Sequence, residues 1–192
     1  MKNLWKKLFF TLFGINLAIL LFLLIMIFLP PDTNHVEKGK QTNENLVTFP
    51  VETNKEDLNK IINYYIAKND SKGAIDYKVY LKDDVELYGA ITFFGENLQL
   101  KLTFVPEALD NGDLLLKQKE ISIGQLNLPV SYVMKFVAEQ YQFPNWVSIQ
   151  PKEEQVYVAL NKMKLNSDLH IQVNKFDLKK DKINLTFGIP TN

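Results

Sequence analysis

A long apolar run near the N-terminus constrains this chain more than any other feature. It extends from Leu8 to Leu29 without a charged residue. As an α-helix it would be about 33 Å long at ~1.5 Å per residue, which is enough to cross a ~30 Å hydrocarbon core. Lys2, Lys6 and Lys7 precede it. This positive flank predicts a cytoplasmic N-terminus and a single-pass protein whose C-terminal part lies outside the cytoplasm.

A cleaved signal peptide is the competing interpretation of the same run. The apolar region of a signal peptide is about 7–15 residues long and ends at a small-residue cleavage site. Here the run is longer and ends in LPPDTN, so we expect a retained anchor. The expected organisation is a cytoplasmic tail at 1–7, a transmembrane helix at 8–29, a polar linker at 30–46 and an extracytoplasmic domain at 47–192.

The composition narrows the class of function. Lys+Arg and Asp+Glu are both 22, so the formal net charge is zero and no overall field favours nucleic acid. The chain has no Arg, the usual residue for bidentate phosphate recognition, which makes a dedicated phosphate site less expected. It has no Cys either, which excludes thiol catalysis, disulfides and thiolate metal sites.

Helical and strand patterns alternate along the predicted domain. Thr53 and Glu56 have the spacing of a capping box, and apolar residues then recur at helical spacing from Leu58 to Ile66. From Ile75 the apolar period changes to two, and DNGD at 110–113 predicts a tight hairpin turn.

A second helix is predicted after Pro129, and four more strands follow Pro144. Short turns between consecutive strands imply antiparallel pairing. The fold class predicted is α+β, with a long curved antiparallel sheet packed on one or two helices.

The second predicted helix has an unusually wide apolar surface. Met134 and Val137 belong to a regular stripe, and Tyr132 and Phe136 extend it onto a neighbouring flank. Such a surface is either buried against the sheet or lines an apolar groove. These four residues are therefore the candidate groove residues.

The sequence offers little catalytic chemistry. His35 and His170 have no partner at metal-ligand spacing, and no serine lies in G-x-S-x-G or S-x-x-K. No glycine-rich phosphate loop is present, and DNGD lacks the remaining ligands of a calcium loop. We therefore expect a protein that is not an enzyme and has no cofactor, metal site or catalytic residues.

The C-terminal stretch NKFDLKKDKINLTFGIP, residues 174–190, predicts a closing hairpin. Val173 and Phe176 have opposite parity along the incoming strand, so a bulge near Asn174 and Lys175 is needed to return both to one face. Asp177 and Asp181 then lie before and within a lysine-rich turn, which is a poor setting for a metal pair.

Three stretches give the chain a resemblance to a known family. They are the Lys-flanked N-terminal span, ISIGQLNLPVSYVMKFVAEQY and VNKFDLKKDKINLTFGIP. The chain resembles the YpmS-like family of membrane-anchored proteins from low-GC Gram-positive bacteria, which has no established activity. The resemblance implies a single-pass protein facing the cell envelope and supplies no catalytic or cofactor residues.

Two functions rank nearly level from the sequence, ahead of a third, a hydrolase whose site residues meet only in the fold. The first is a non-catalytic binding module for a lipid or a lipid-linked envelope precursor, favoured by the membrane tether and the apolar flank at Tyr132 and Phe136. The alternative is a structural or accessory protein that binds an envelope enzyme or assembly.

Overall fold

A computed structural model of the chain describes residues 2–28, 46–69, 77–93, 96–124, 126, 128–141, 143–163 and 169–191. The chain divides into two compact units, Met1–Asp32 and Thr33–Asn192. The predicted linker at 30–46 lies outside the described residues except for Leu46. His35 also lies outside them.

The described residues of the first unit form helix α1 (Lys2–Phe28). Its segment Trp5–Ile25 has a mean hydropathy of 2.7 and none of its side chains is buried, so it is long and apolar enough to cross a membrane. N-terminal signal helices can also meet this criterion of length and hydropathy. The side chains of Thr11 and Asn16 donate to the carbonyl oxygens of Lys7 and Leu12, at 2.8 and 3.0 Å. These two polar groups are thus satisfied within the helix, as an apolar environment requires.

The second unit contains nine strands, two α-helices and a short 3₁₀ helix within its described residues. In chain order they are β1 (Leu46–Thr53), α2 (Lys55–Asn69), β2 (Tyr77–Leu81), β3 (Val85–Phe93), β4 (Glu96–Ala108), β5 (Leu114–Ile123), α3 (Val130–Gln140), β6 (Val147–Gln150), β7 (Gln155–Val158), the 3₁₀ helix Leu160–Lys162, β8 (His170–Asp177) and β9 (Lys182–Pro190).

The strands form two sheets, and every strand pair is antiparallel. One sheet has six strands in the order β2-β3-β4-β5-β7-β6, and the other has three in the order β1-β9-β8. The α+β class and the antiparallel pairing are therefore confirmed. The six-stranded sheet is the long sheet that the sequence predicts, and the separate three-stranded sheet is an addition to that prediction.

The start of the second unit differs from the prediction. Residues 46–53, expected to belong to the linker and to the approach to a helix, instead form β1, where Leu46 pairs with Pro190. The capping box at Thr53 and Glu56 is wrong by one residue. Asn54 Oδ1 accepts the main-chain N–H of Asp57 at 2.9 Å, so Asn54 caps α2 while Thr53 still pairs in β1.

One hydrophobic core joins both sheets and helix α3. Val133, Met134 and Val137 of α3 are each 1% exposed and belong to the same cluster as Leu100 of β4 and Ile183 of β9. Helix α3 begins after Pro129, which is its N-cap. The wide apolar surface of this helix is thus partly explained by burial between strands of different sheets.

Helix α2 protects the outer edge of β2. The side chain of Asn59 donates to Leu81 O at 3.0 Å and accepts from Leu81 N at 2.7 Å. One turn later Asn63 does the same with Val79, at 2.8 and 3.4 Å. Two asparagine amides at i and i+4 therefore replace a neighbouring strand, and the edge of the sheet is covered.

The hairpin of β8 and β9 confirms the predicted bulge. Val173 pairs with Leu185 and Lys175 pairs with Asn184, which leaves Asn174 without a partner in the register. The two aspartates serve the backbone around the turn. Asp177 accepts the N–H of Lys180 at 3.1 Å, and Asp181 accepts the N–H of Lys55 at 2.7 Å at the start of α2.

Asn59 gives a direct test of the edge cover. We expect Asn59→Ala to lower the free energy of unfolding by about 1–3 kcal/mol, because it leaves the N–H and C=O of Leu81 unpaired. Urea unfolding of the full chain in neutral detergent measures it. Lys60→Ala, the next residue and exposed, is the control and should change stability little. Equal effects of the two substitutions would contradict the role of Asn59.

Glu86 forms an ionic cluster on the face of β3 that points away from the core. The residue is 9% exposed, and its carboxylate binds Lys82 Nζ at 2.6 Å, Lys101 Nζ at 2.9 Å and the Tyr88 hydroxyl at 2.8 Å. Burial alone would raise the pKa of Glu86, but the hydrogen bonds from Lys82, Lys101 and Tyr88 outweigh it and lower the pKa to about 2. Glu86 is therefore ionised throughout the physiological range.

The lowered pKa predicts how stability depends on pH. Because the folded pKa of Glu86 lies below the unfolded value, its contribution is complete above about pH 5.5 and is lost as pH falls toward 2. We expect Glu86→Gln to lower the free energy of unfolding by about 1–3 kcal/mol at pH 7. The difference from wild type should shrink steadily between pH 5 and 2 in urea titrations. Glu107→Gln, at an exposed ion pair with Lys117, should show no such trend.

Candidate functional site

The four candidate groove residues of α3 occupy different environments. Met134 and Val137 are 1% exposed and fill the core, so they do not line an open surface. Tyr132 and Phe136 are half-buried, and Phe136 packs against the core cluster. An apolar groove on this helix stays a prediction, and it would depend on Tyr132 and Phe136.

A second apolar surface lies on the three-stranded sheet. Val47 and Phe49 of β1 and Ile189 of β9 are 47%, 48% and 45% exposed. Val47 pairs directly with Ile189, and Phe49 pairs with Phe187. Directly opposed residues of an antiparallel pair share one face of the sheet, so these side chains are neighbours. We call Val47, Phe49 and Ile189 the apolar strip.

The apolar strip continues the buried face of the same sheet. Along that face Val51 pairs with Leu185, and Val173 pairs with Leu185 from the other side. Val173 is 3% exposed and Ile183, at the far end, is 0% exposed. One apolar face therefore runs from the core to solvent, and only the end at which the chain enters β1 is uncovered.

The size of the apolar strip limits its partner. Three half-exposed side chains leave roughly 250 Å² accessible, well below the ~800 Å² per partner of a standard protein interface. A hydrocarbon chain needs much less area, since each buried CH₂ contributes ~0.8 kcal/mol. The strip is thus better matched to part of an acyl chain than to a folded protein.

A cleft of about 490 Å³ lies where the two sheets meet. It is lined by residues of the β2–β3 turn, of β4 and β5, and of β8 and its turn: Asp83, Asp84, Val105, Pro106, Ala108, Lys119, Asn174, Lys175, Phe176, Asp177, Leu178 and Lys179. The volume lies within the ~300–1,000 Å³ range of small-molecule sites.

Two β-bulges open into this cleft. In β5 the register passes from Glu120 to Gln118, so Lys119 has no cross-strand partner, and in β8 Asn174 is the unpaired residue. Both bulged residues line the cleft. Bulges redirect side chains and are frequent beside functional sites, because they add twist and turn one residue out of the pleat.

The carboxylates of the cleft already have partners. Lys119 Nζ lies 2.5 Å from Asp84 Oδ2, and this hydrogen bond raises the pKa of Lys119. Lys55 Nζ lies 3.6 Å from Asp83 Oδ1, and Asp177 accepts a main-chain N–H. Lys175 and Lys179 form no ion pair within the described part of the chain.

Asp113 belongs to a buried polar network at the tip of the β4–β5 hairpin. Its side chain is 0% exposed and accepts hydrogen bonds from the Tyr157 hydroxyl and from Asn111 Nδ2, the latter at 2.9 Å. Within the described residues, no group of three or more His, Asp or Glu could hold a metal ion. The network joins the hairpin to β7, so we assign it a structural role.

Neither the apolar strip nor the cleft is predicted by the sequence pattern. Val47, Phe49 and Val51 do alternate with Thr48 and Pro50, which is a strand signal, but Pro50 weakens it because proline is rare in strands. The bulge at Asn174 was predictable from parity. The opposing bulge at Lys119 was not, because the apolar pattern of β5 is too irregular to show it.

Comparisons with known proteins place the chain in a family without assigning it an activity. The family model described as "Uncharacterized protein conserved in bacteria (DUF2140)" matches residues 3–189. The "Uncharacterized protein YpmS" of Bacillus subtilis (strain 168) is 30% identical over 188 residues, which cover 98% of each chain. No solved structure matches. The chain therefore belongs to the DUF2140 family of uncharacterised bacterial proteins, as its resemblance to YpmS-like proteins predicted.

Proposed function

We propose that this protein is a membrane-anchored, non-catalytic module that binds a lipid or lipid-linked precursor of the cell envelope. The observation that supports it best is the apolar strip, an uncovered end of an otherwise buried sheet face. Phe49 and Ile189 keep about half of their surface in contact with water, and covering that surface with an apolar ligand would be favourable.

The N-terminal helix supports the same function. We infer that α1 is a retained single-pass anchor with a cytoplasmic N-terminus, because Lys2, Lys6 and Lys7 precede the apolar segment. Residues 29–45 connect α1 to β1, and 17 residues span at most about 60 Å. A membrane anchor would thus tether the domain to the bilayer.

The small area of the apolar strip favours lipid binding over the alternative function, which is to bind an envelope enzyme or assembly. A protein partner held by this surface alone would bury roughly a third of a standard interface. The outer edge of β1 is also a poor template for strand addition, because Pro50 has no N–H to donate. A lipid chain requires neither a large area nor backbone hydrogen bonds.

The anchor can be tested by fractionation. We expect the full chain, with an N-terminal epitope tag, to stay in the membrane pellet of bacterial protoplasts after alkaline carbonate extraction. Protease added outside should remove the C-terminal domain and leave the tag protected. Loss of the tag from the mature protein would instead show a cleaved signal, and a protected domain would reverse the orientation.

The lipid site is tested by photolabelling of the full chain in proteoliposomes that contain a phospholipid with a diazirine on its acyl chain. Peptides from β1 and β9 should be labelled, and Phe49→Asp should reduce that label about tenfold or more. The reason is that a charge replaces an apolar contact worth at least ~1.4 kcal/mol.

Thr48→Asp is the matched control for Phe49→Asp. Thr48 is the adjacent exposed residue, and it pairs with Gly188 on the opposite face of the same sheet. It introduces the same charge into the same strand and should leave the label unchanged. Label confined to α1 in the wild-type chain, or an equal loss in both variants, would exclude the apolar strip as the lipid site.

A further inference from the structure

We propose that the apolar strip binds the hydrocarbon chain of a membrane lipid without selecting its head group. The inference rests on the proposed function and deepens it, because it names the part of the lipid that the strip recognises. The observation that carries it is the distribution of charge along the three-stranded sheet.

The charged side chains of this sheet all lie at the end opposite the apolar strip. Glu52 of β1 pairs with Asn184 of β9, and Lys175 of β8 pairs with Asn184 from the other side. Asp177 of β8 pairs with Lys182, the first residue of β9. With histidine counted as neutral, these four are the charged residues of β1, β8 and β9.

The other end of the sheet, which carries the strip, consists of uncharged residues. Six consecutive cross-strand pairs, from Leu46 with Pro190 to Val51 with Leu185, contain no charged side chain. Glu52 is three residue steps from Phe49, or roughly 10 Å at ~3.3 Å per step, and its side chain points to the opposite face. That separation is about one Debye length at ~0.1 M salt, so the charge of Glu52 is largely screened at the strip.

An uncharged site cannot distinguish one charged head group from another. Lipid head groups are told apart by charge-assisted hydrogen bonds, which need an ammonium or a carboxylate of the protein beside the lipid. The strip offers the side chains of Val47, Phe49 and Ile189, which make hydrophobic and dispersion contacts. These contacts are the same for a given acyl chain whichever head group it carries. Lipids with different head groups should therefore occupy the strip equally.

Photolabelling of the full chain in proteoliposomes tests this with two diazirine probes. The probes are a phosphatidylcholine and a phosphatidylglycerol with the same acyl chain, each added in the same amount to the same zwitterionic bilayer. The label on β1 and β9 is divided by the label on α1 in the same sample. We expect this ratio to agree within about twofold between the probes, at low and at high salt, because ions do not screen hydrophobic contacts. A single lysine contact would instead favour phosphatidylglycerol about fivefold.

Val47→Lys and Val47→Gln are a matched pair of variants at the strip. Both remove one apolar contact, and the first alone adds an ammonium group. Val47→Lys should favour the phosphatidylglycerol probe about fivefold, and Val47→Gln should be labelled more weakly but equally by both probes. Equal labelling of Val47→Lys by both probes would overturn the inference, because the missing charge would then not be the reason that the strip ignores the head group.

The outcomes separate this inference from the proposed function. A ratio that differs by more than about twofold between the two probes in the wild-type chain would overturn the inference and leave the lipid site in place. Label confined to α1 with both probes would exclude the apolar strip as a lipid site, and the proposed function would fail with it. Glu52→Gln removes the nearest charge along β1 and should leave the ratio unchanged for both probes, and a new preference in this variant would contradict the screening of Glu52 on which the inference depends.

Discussion

The hydrogen bond from the main-chain N–H of Val173 to Gly112 O, at 2.8 Å, is the link on which the domain's architecture depends. β8 is an edge strand, and this bond joins its free side to the tip of the β4–β5 hairpin of the other sheet. Gly112 has φ +83°, and a Cβ there would lie 2.7 Å from Gln172 Cβ. Only glycine fits this contact, and the buried network around Asp113 keeps the hairpin tip in place.

The free edges of strands β2, β8 and β1 are protected in different ways. These differences determine which apolar surfaces remain exposed to solvent. The side chains of Asn59 and Asn63 form hydrogen bonds with the free edge of β2, and the carbonyl oxygen of Gly112 accepts a hydrogen bond from the free edge of β8. β1 has only Pro50, which lacks a donor and so discourages strand pairing without covering the sheet. Pro50 hinders the pairing of another strand with β1, but it does not cover the side chains of the sheet. The apolar face next to β1 therefore stays exposed to solvent.

Much of this fold followed from the sequence where local signals were strong. Parity alone predicted the bulge at Asn174, and the two-residue apolar period from Ile75 onward predicted the strands that follow, because both depend on the two-residue period of a pleat. Thr53 failed as a cap since pairing with Ile183 keeps it extended, and Asn54 takes over one residue later. The division into two sheets could not be predicted, because it depends on long-range contacts such as Val173 with Gly112.

The apolar strip and the cleft lie at opposite ends of the three-stranded sheet. Seven residue steps separate Lys182 from Ile189 along β9, or roughly 23 Å at ~3.3 Å per step. Between them the apolar face is filled, since Ile183 is 0% and Val173 3% exposed. A lipid cannot lie along that face from the cleft to the strip unless the core opens. A ligand that reaches both the apolar strip and the cleft therefore has to run over the outside of the sheet.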